Sequence, residues 1–230
     1  MLEHNAIIKE SWTFFKDNFS AIVKFMLPIV IVTSIVSDLL IALLPMDEEE
    51  DMNANAWLLF YSYFLIKANF YALDVALFLH FMKNYFEDGP LGSKALLLSF
   101  VPRLPSLILL TTLAATFIFV GLLLMIFPGL WLALRFSYAW MYQCFEDMNP
   151  FSSLFRSFQE SKDDTALIIK SSAVIAIPFL FFTIFYIIIM GIFFRGFLLT
   201  FILSIISSLV FLFLQTVLYR IYSQYGHKNA

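Results

Sequence analysis

Cysteine is almost missing from this chain. Cys144 stands alone, which excludes an internal disulfide framework, and no Cys/His grouping has the spacing of a metal site. Charge is scarce as well: only 13% of the 230 residues are Asp, Glu, Lys or Arg, against roughly 25% in soluble domains. So few charges cannot cover a surface that faces water. The seven glycines build no GxSxG elbow, P-loop or dinucleotide fingerprint, and HExxH is also missing. The expectation is therefore no enzyme, no metal and no cofactor. A net charge of −3 without a basic, aromatic-laced cluster argues against nucleic acid as a partner.

What is present is apolar. Hydrophobic residues make up 61% of the chain, 29 of them phenylalanine, and they come in long blocks. Crossing about 30 Å of hydrocarbon takes about 20 mostly apolar residues in a helix. Six segments meet that length, at 25–44, 57–81, 104–127, 129–147, 167–192 and 197–219. The predicted fold is all-α: a polytopic membrane protein with six transmembrane helices, forming one integral membrane domain over 1–230. Pro128 and Gly129 read as a tight turn between the third and fourth spans, which would place Arg135 early in the fourth. The N-terminal segment mixes charged and aromatic residues before the first apolar block, which is not the pattern of a cleaved signal peptide.

Lysine and arginine set the orientation. Lys9, Lys16, Lys24, Lys83, Lys94, Arg103, Arg156, Lys162, Lys170, Arg220 and Lys228 all fall in segments on one side of the six spans. The other side carries Arg195 and the acidic run Asp47–Asp51. Both termini are thus expected in the cytoplasm. The acidic run reads as a solvated loop, because an unbroken run of like charges repels itself rather than converging on a cation.

On the cytoplasmic side, Ile8, Trp12, Phe15 and Phe19 recur at helical spacing, with Lys9, Glu10, Lys16 and Asp17 on the other face. This is the pattern of an amphipathic helix lying in the membrane interface. Asn149 and Pro150 read as a cap and first turn, followed by a second such stripe of Phe151, Leu154, Phe155 and Phe158. A third short segment, broken by Pro102 and Pro105, precedes the third span. SWTFFKDNFSAIVK (11–24) and SFQESKDDTALIIK (157–170) align without gaps. The pattern suggests a unit of interfacial helix plus helical hairpin, repeated three times at about 5–81, 91–147 and 150–219.

Taken in order, SWTFFKDNF, LPSLILLTTL, FPGLWLAL and FEDMNPFSSLFRSFQESKDDTALI resemble the YciC family of inner-membrane proteins of Gram-negative bacteria, over nearly the whole chain. The resemblance implies six spans and a plasma-membrane location, and it carries no established activity. The chain also looks like a distant relation of the membrane domains attached to some glycerophosphodiester phosphodiesterases, without their catalytic domain.

Ionisable residues inside spans cost about 2.5 to 3.5 kcal/mol each on insertion scales and so mark candidate sites. They are Asp38, Lys67, Asp74, His80 and Arg135, with His80 near the cytoplasmic end of its span. At 1.5 Å per residue, Asp38 and Arg135 lie at about 9 and 10 Å from the outer ends of their spans. That equal depth suggests a pair. Lys67 and Asp74 share a face with Tyr63 and Tyr71, and Arg135 shares one with Trp131, Tyr138 and Tyr142. This polar seam is either structural, its members satisfying one another, or a pathway or headgroup pocket.

Two functions follow. The first is a non-enzymatic envelope component that binds membrane lipids or other inner-membrane proteins. The second is a small transporter or channel for an anionic or proton-coupled solute, using Asp38, Lys67 and Arg135. The glycine-rich helix interruptions of secondary transporters are missing, although Pro28 and Pro178 could kink spans one and five.

Overall fold

The structure, a computed structural model, describes residues 4–44, 54–87, 93–193 and 197–226. The acidic run Asp47–Asp51 and Arg195 lie outside the described residues. Every regular element among the described residues is helical: α1 (His4–Asp17), α2 (Phe19–Ala42), α3 (Ala54–Glu87), α4 (Ser93–Phe100), α5 (Leu104–Leu124), α6 (Ile126–Arg135), α7 (Ala139–Phe145), α8 (Pro150–Phe193) and α9 (Phe197–Ile221). A short 3-10 turn joins α4 to α5, and a π-helical turn follows α9.

Four stretches among the described residues are long and apolar enough to cross a membrane: Phe19–Ala42, Trp57–Asn84, Lys94–Leu124 and Ile205–Gln224. They fall where the first, second, third and sixth spans were expected. The expected fourth span, 129–147, is not one helix. It divides into α6 and α7 around Phe136–Tyr138, where the backbone leaves the helical path. The expected fifth span lies within α8, a continuous helix of 44 residues that also takes in the second interfacial stripe. Asn149 caps α8 as its sequence suggested: its Oδ1 accepts from the Ser152 amide at 2.9 Å, and Pro150 fills the first turn, where its missing N–H costs nothing.

Two compact units divide the chain, Met1–Leu27 with Asp163–Ala230, and Pro28–Lys162. In the first, α1 packs on α9, with the ring of Phe15 edge-on to Phe213 at 5.6 Å and Trp12 edge-on to the same ring at 5.7 Å. Ile7, Ile22, Met26, Leu212, Val217 and Ile221 fill its core.

In the second unit, the buried run Val75–Leu79 of α3 packs against α5 and α7. Leu110, Ala114, Phe136, Ala139 and Leu154 form a core cluster. The turn between α5 and α6 falls at Met125, in extended conformation, and not at Pro128–Gly129. Pro128 and Gly129 instead sit inside the first turns of α6. Gly129 is there for a close approach: a Cβ on Gly121 would come within 2.9 Å of the Gly129 Cα, and one on Gly129 within 2.7 Å of the Leu122 backbone nitrogen. Small residues let two apolar helices touch backbone to backbone, which is how helices associate where lipid removes the hydrophobic drive.

Candidate functional site

The expected seam resolves into separate polar groups. On α2 and α3, Lys67 Nζ meets Asp38 Oδ1 at 2.5 Å and donates to Ser37 Oγ at 3.2 Å. Asp38 therefore pairs with Lys67, not with Arg135. Nearby on the same helices, Asp74 is buried and accepts from the Thr33 hydroxyl at 3.0 and 3.2 Å. Tyr63 and Tyr71 lie exposed on the outside of α3. Further polar bonds join α3 to α5, Tyr61 with Thr116 at 2.8 Å and Asn69 to Thr112 at 3.3 Å. Such bonds act as glue between helices in an apolar medium.

His80, near the end of its expected span, is buried within the protein. Its Nε2 meets Ser99 Oγ at 2.9 Å and its ring lies on Phe100. This contact ties α3 to α4.

Arg135 ends α6. Its guanidinium lies 5.0 Å from the Trp131 ring and 5.6 Å from the Phe158 ring, and its buried Nε and Nη1 carry no hydrogen-bond partner among the described residues. Desolvated cation–π contacts of this kind are worth up to about 2 kcal/mol, so the charge is held by aromatic faces. The backbone of the same residue is better provided for. Where the helix breaks, the Arg135 carbonyl accepts from Ser157 Oγ at 2.7 Å and Ser161 Oγ at 3.0 Å, and Ser157 Oγ also accepts the Tyr138 amide at 3.2 Å. Buried backbone that leaves the helix must find other partners; here serines of α8 supply them. Tyr138 and Tyr142 are fully buried beside this break.

Sequence reasoning missed a second charged cluster at the C-terminal end of α7. Lys83 donates to the Phe145 carbonyl at 3.1 Å and Arg103 to the Cys144 carbonyl at 3.1 Å, so two cations meet the negative end of that helix. Arg103 also pairs with Asp147 at 2.8 Å; Asp147 itself adopts a left-handed conformation, φ 52°, that Asp tolerates better than most residues. Arg156 bridges Glu146 and Glu160, lies 4.7 Å from the Tyr142 ring, and Tyr142 donates to Glu160. The hydrogen bond to Glu160 is the main cause that raises the Arg156 pKa further above its ordinary value. The available signal is the acidic pair Glu146 and Asp147 just ahead of the Asn149 cap; Lys83, Arg103 and Arg156 carry no local mark of the partners they meet.

The interfacial stripes are oriented by burial. On α1, Phe15 is buried and Ile8 half-buried, while Trp12 is 57% exposed; α1 ends at Asp17, so Phe19, the last residue of the expected stripe, opens α2 instead and is exposed there. On α8, Leu154 is buried and Phe158 half-buried, while Phe151 and Phe155 are 64% and 65% exposed. Between these rings the hydroxyls of Ser11, Ser153, Ser157 and Ser161 are wholly enclosed. Large aromatics thus stand on the outside of these helices beside charged residues such as Lys9 and Lys16, while serine hydroxyls lie within.

No protein-family model matches the chain, and no curated protein or solved structure matches it either. The fold and its surface define an all-helical chain with several helices fit to cross a membrane.

Proposed function

We propose that this protein is a non-enzymatic component of a bacterial inner membrane, related to the YciC family, that binds membrane lipids or neighbouring membrane proteins through helices lying in the interface. The observation that carries this reading is the set of exposed aromatics on α1, the start of α2 and early α8, Trp12, Phe19, Phe151 and Phe155, beside enclosed Ser11, Ser153, Ser157 and Ser161. Exposed aromatics on an amphipathic helix favour the boundary of headgroups and acyl chains. Local satisfaction of the charges supports it too. Lys67 meets Asp38, Asp74 meets Thr33, and Arg156 meets two glutamates, so these groups hold helices together where a transport pathway would need them free.

The proposal keeps six spans, with both termini cytoplasmic. The broken pair α6–α7 forms the fourth and the second half of α8 the fifth. Three pseudo-repeats are supported by burial register. Ile7, Ser11, Ile22 and Phe25 have counterparts at the same spacing in Leu96, Phe100, Thr111 and Ala114, and again in Ser153, Ser157, Ile168 and Ser171; all twelve are buried. The register of the first and last sets is the one in which 11–24 and 157–170 align.

Lipid retention tests the reading. Wild-type protein extracted in mild detergent should carry phospholipid through purification, measured by mass spectrometry. Replacing Trp12, Phe19, Phe151 and Phe155 together by Ser should remove most of it, and Arg135→Leu should leave it. Solute flux in proteoliposomes that is lost in Arg135→Leu, with lipid retention unaffected by the aromatic replacements, would overturn the proposal in favour of a transporter. The aromatic-only surroundings of the Arg135 guanidinium are what favour that second reading.

A further inference from the structure

Beside α1, a cleft of about 660 Å³ opens between that helix and the C-terminal end of α9. Lys9, Glu10, Thr13, Asp17 and Asn18 line it from one side and Arg220 from the other. None of its four charged side chains enters an ion pair with any described residue. Lys67, Arg103 and Arg156, by contrast, are each matched with a carboxylate. Two cations and two anions share one cleft and remain unspent.

A purely anionic ligand fits such a lining poorly, because Glu10 and Asp17 would repel it as Lys9 and Arg220 attracted it. A ligand carrying both signs a few bonds apart meets all four groups. From this charge arrangement and the position of the cleft on the polar face of α1, the helix whose other side exposes Trp12, we infer that it is a binding site for a zwitterionic phosphoethanolamine headgroup of a membrane phospholipid. The phosphate lies toward Lys9 and Arg220, where Arg offers a forked donor set suited to phosphate oxygens. The primary ammonium, with three N–H donors, lies toward Glu10 and Asp17. Thr13 and Asn18 add neutral hydrogen-bonding groups between them. A phosphatidylcholine headgroup has the same charges but no N–H to donate, so it loses the second half of the recognition.

The inference deepens the lipid-binding reading and rests on it, and one experiment separates their failures. Full-length protein in detergent is titrated with phosphatidylethanolamine, phosphatidylglycerol and phosphatidylcholine of matched acyl chains, and the adducts are counted by native mass spectrometry. Phosphatidylethanolamine should be retained over either competitor by about fivefold, the scale expected of a few partly exposed charge pairs. Arg220→Gln and Asp17→Asn should each bring the ratio near one at unchanged melting temperature, while Lys24→Gln, on an exposed position of α2 outside the cleft lining, should preserve it. Equal adducts of all three lipids in the wild type, or a preference that survives both cleft substitutions, overturns the inference and leaves the general reading standing. Absence of any lipid adduct in the wild type overturns both. Soluble glycerophosphoethanolamine should not displace the lipid; if it does at equal concentration, the occupant is the free headgroup compound and not a membrane lipid.

Discussion

Ser157 shows how a single hydroxyl can hold a helix open. It donates to the Arg135 carbonyl and accepts from the Tyr138 amide, so Ser157→Ala leaves a buried N–H without its acceptor. The expected cost is about 1 to 2 kcal/mol, read as a lowered melting temperature in detergent. Ser161→Ala should cost less, because the same carbonyl keeps its bond to Ser157. Equal effects would mean that the amide bond contributes nothing. Gly121→Ala tests the other close contact. The added methyl must displace the Gly129 backbone, and overpacking of that kind costs about 1 to 3 kcal/mol, again as a loss of thermal stability. None of these contacts was legible in the sequence. The serines stand about twenty positions from the break they satisfy, and a glycine pair separated by a turn carries no local signal.

At the scale of elements, the two edges of α1 should behave differently. Phe15 is buried against α9, so Phe15→Ala removes a packed ring and should destabilise the protein by about 3 kcal/mol. Trp12→Ser, at an exposed position, should shift the melting temperature less while weakening lipid retention. The reverse ranking would mean that α1 does not lie in the interface. The long apolar runs of α2, α3 and α5 were readable because periodicity and length suffice when no tertiary partner is needed to define a segment. The Asn149 cap was readable because its signal is local. The break between α6 and α7 was not: Phe136–Tyr138 contains neither glycine nor proline, so nothing in the run announces it. Depth arithmetic failed for the same reason. Taking Gly129 as the start of a straight span put Arg135 level with Asp38, whereas α6 begins at Ile126 and ends at Arg135, and Lys67 on the adjacent helix takes the carboxylate.

At the scale of the whole molecule, Lys67, Arg103 and Arg156 each meet a carboxylate, while the charges of the cleft beside α1 meet none among the described residues. Removing both members of the Asp38–Lys67 pair, as Asp38→Leu with Lys67→Met, should be close to neutral for stability. Lys67→Met alone should destabilise, because it strands a carboxylate in an apolar setting; a measured unfolding midpoint separates the two. Composition alone was enough to identify the apolar medium. The partners chosen by individual charges were not readable, since they depend on which helix faces which.

The most direct test is the depth of Trp12 in a bilayer. In a variant that keeps Trp12 as its sole tryptophan, with Trp57, Trp131 and Trp140 replaced by Phe, brominated lipids report how far the ring lies from the bilayer centre. An interfacial α1 predicts strong quenching by bromines placed high on the acyl chain and weak quenching by those near its end. Absence of quenching, or quenching greatest at the bilayer centre, would contradict the account by placing this helix in water or across the membrane.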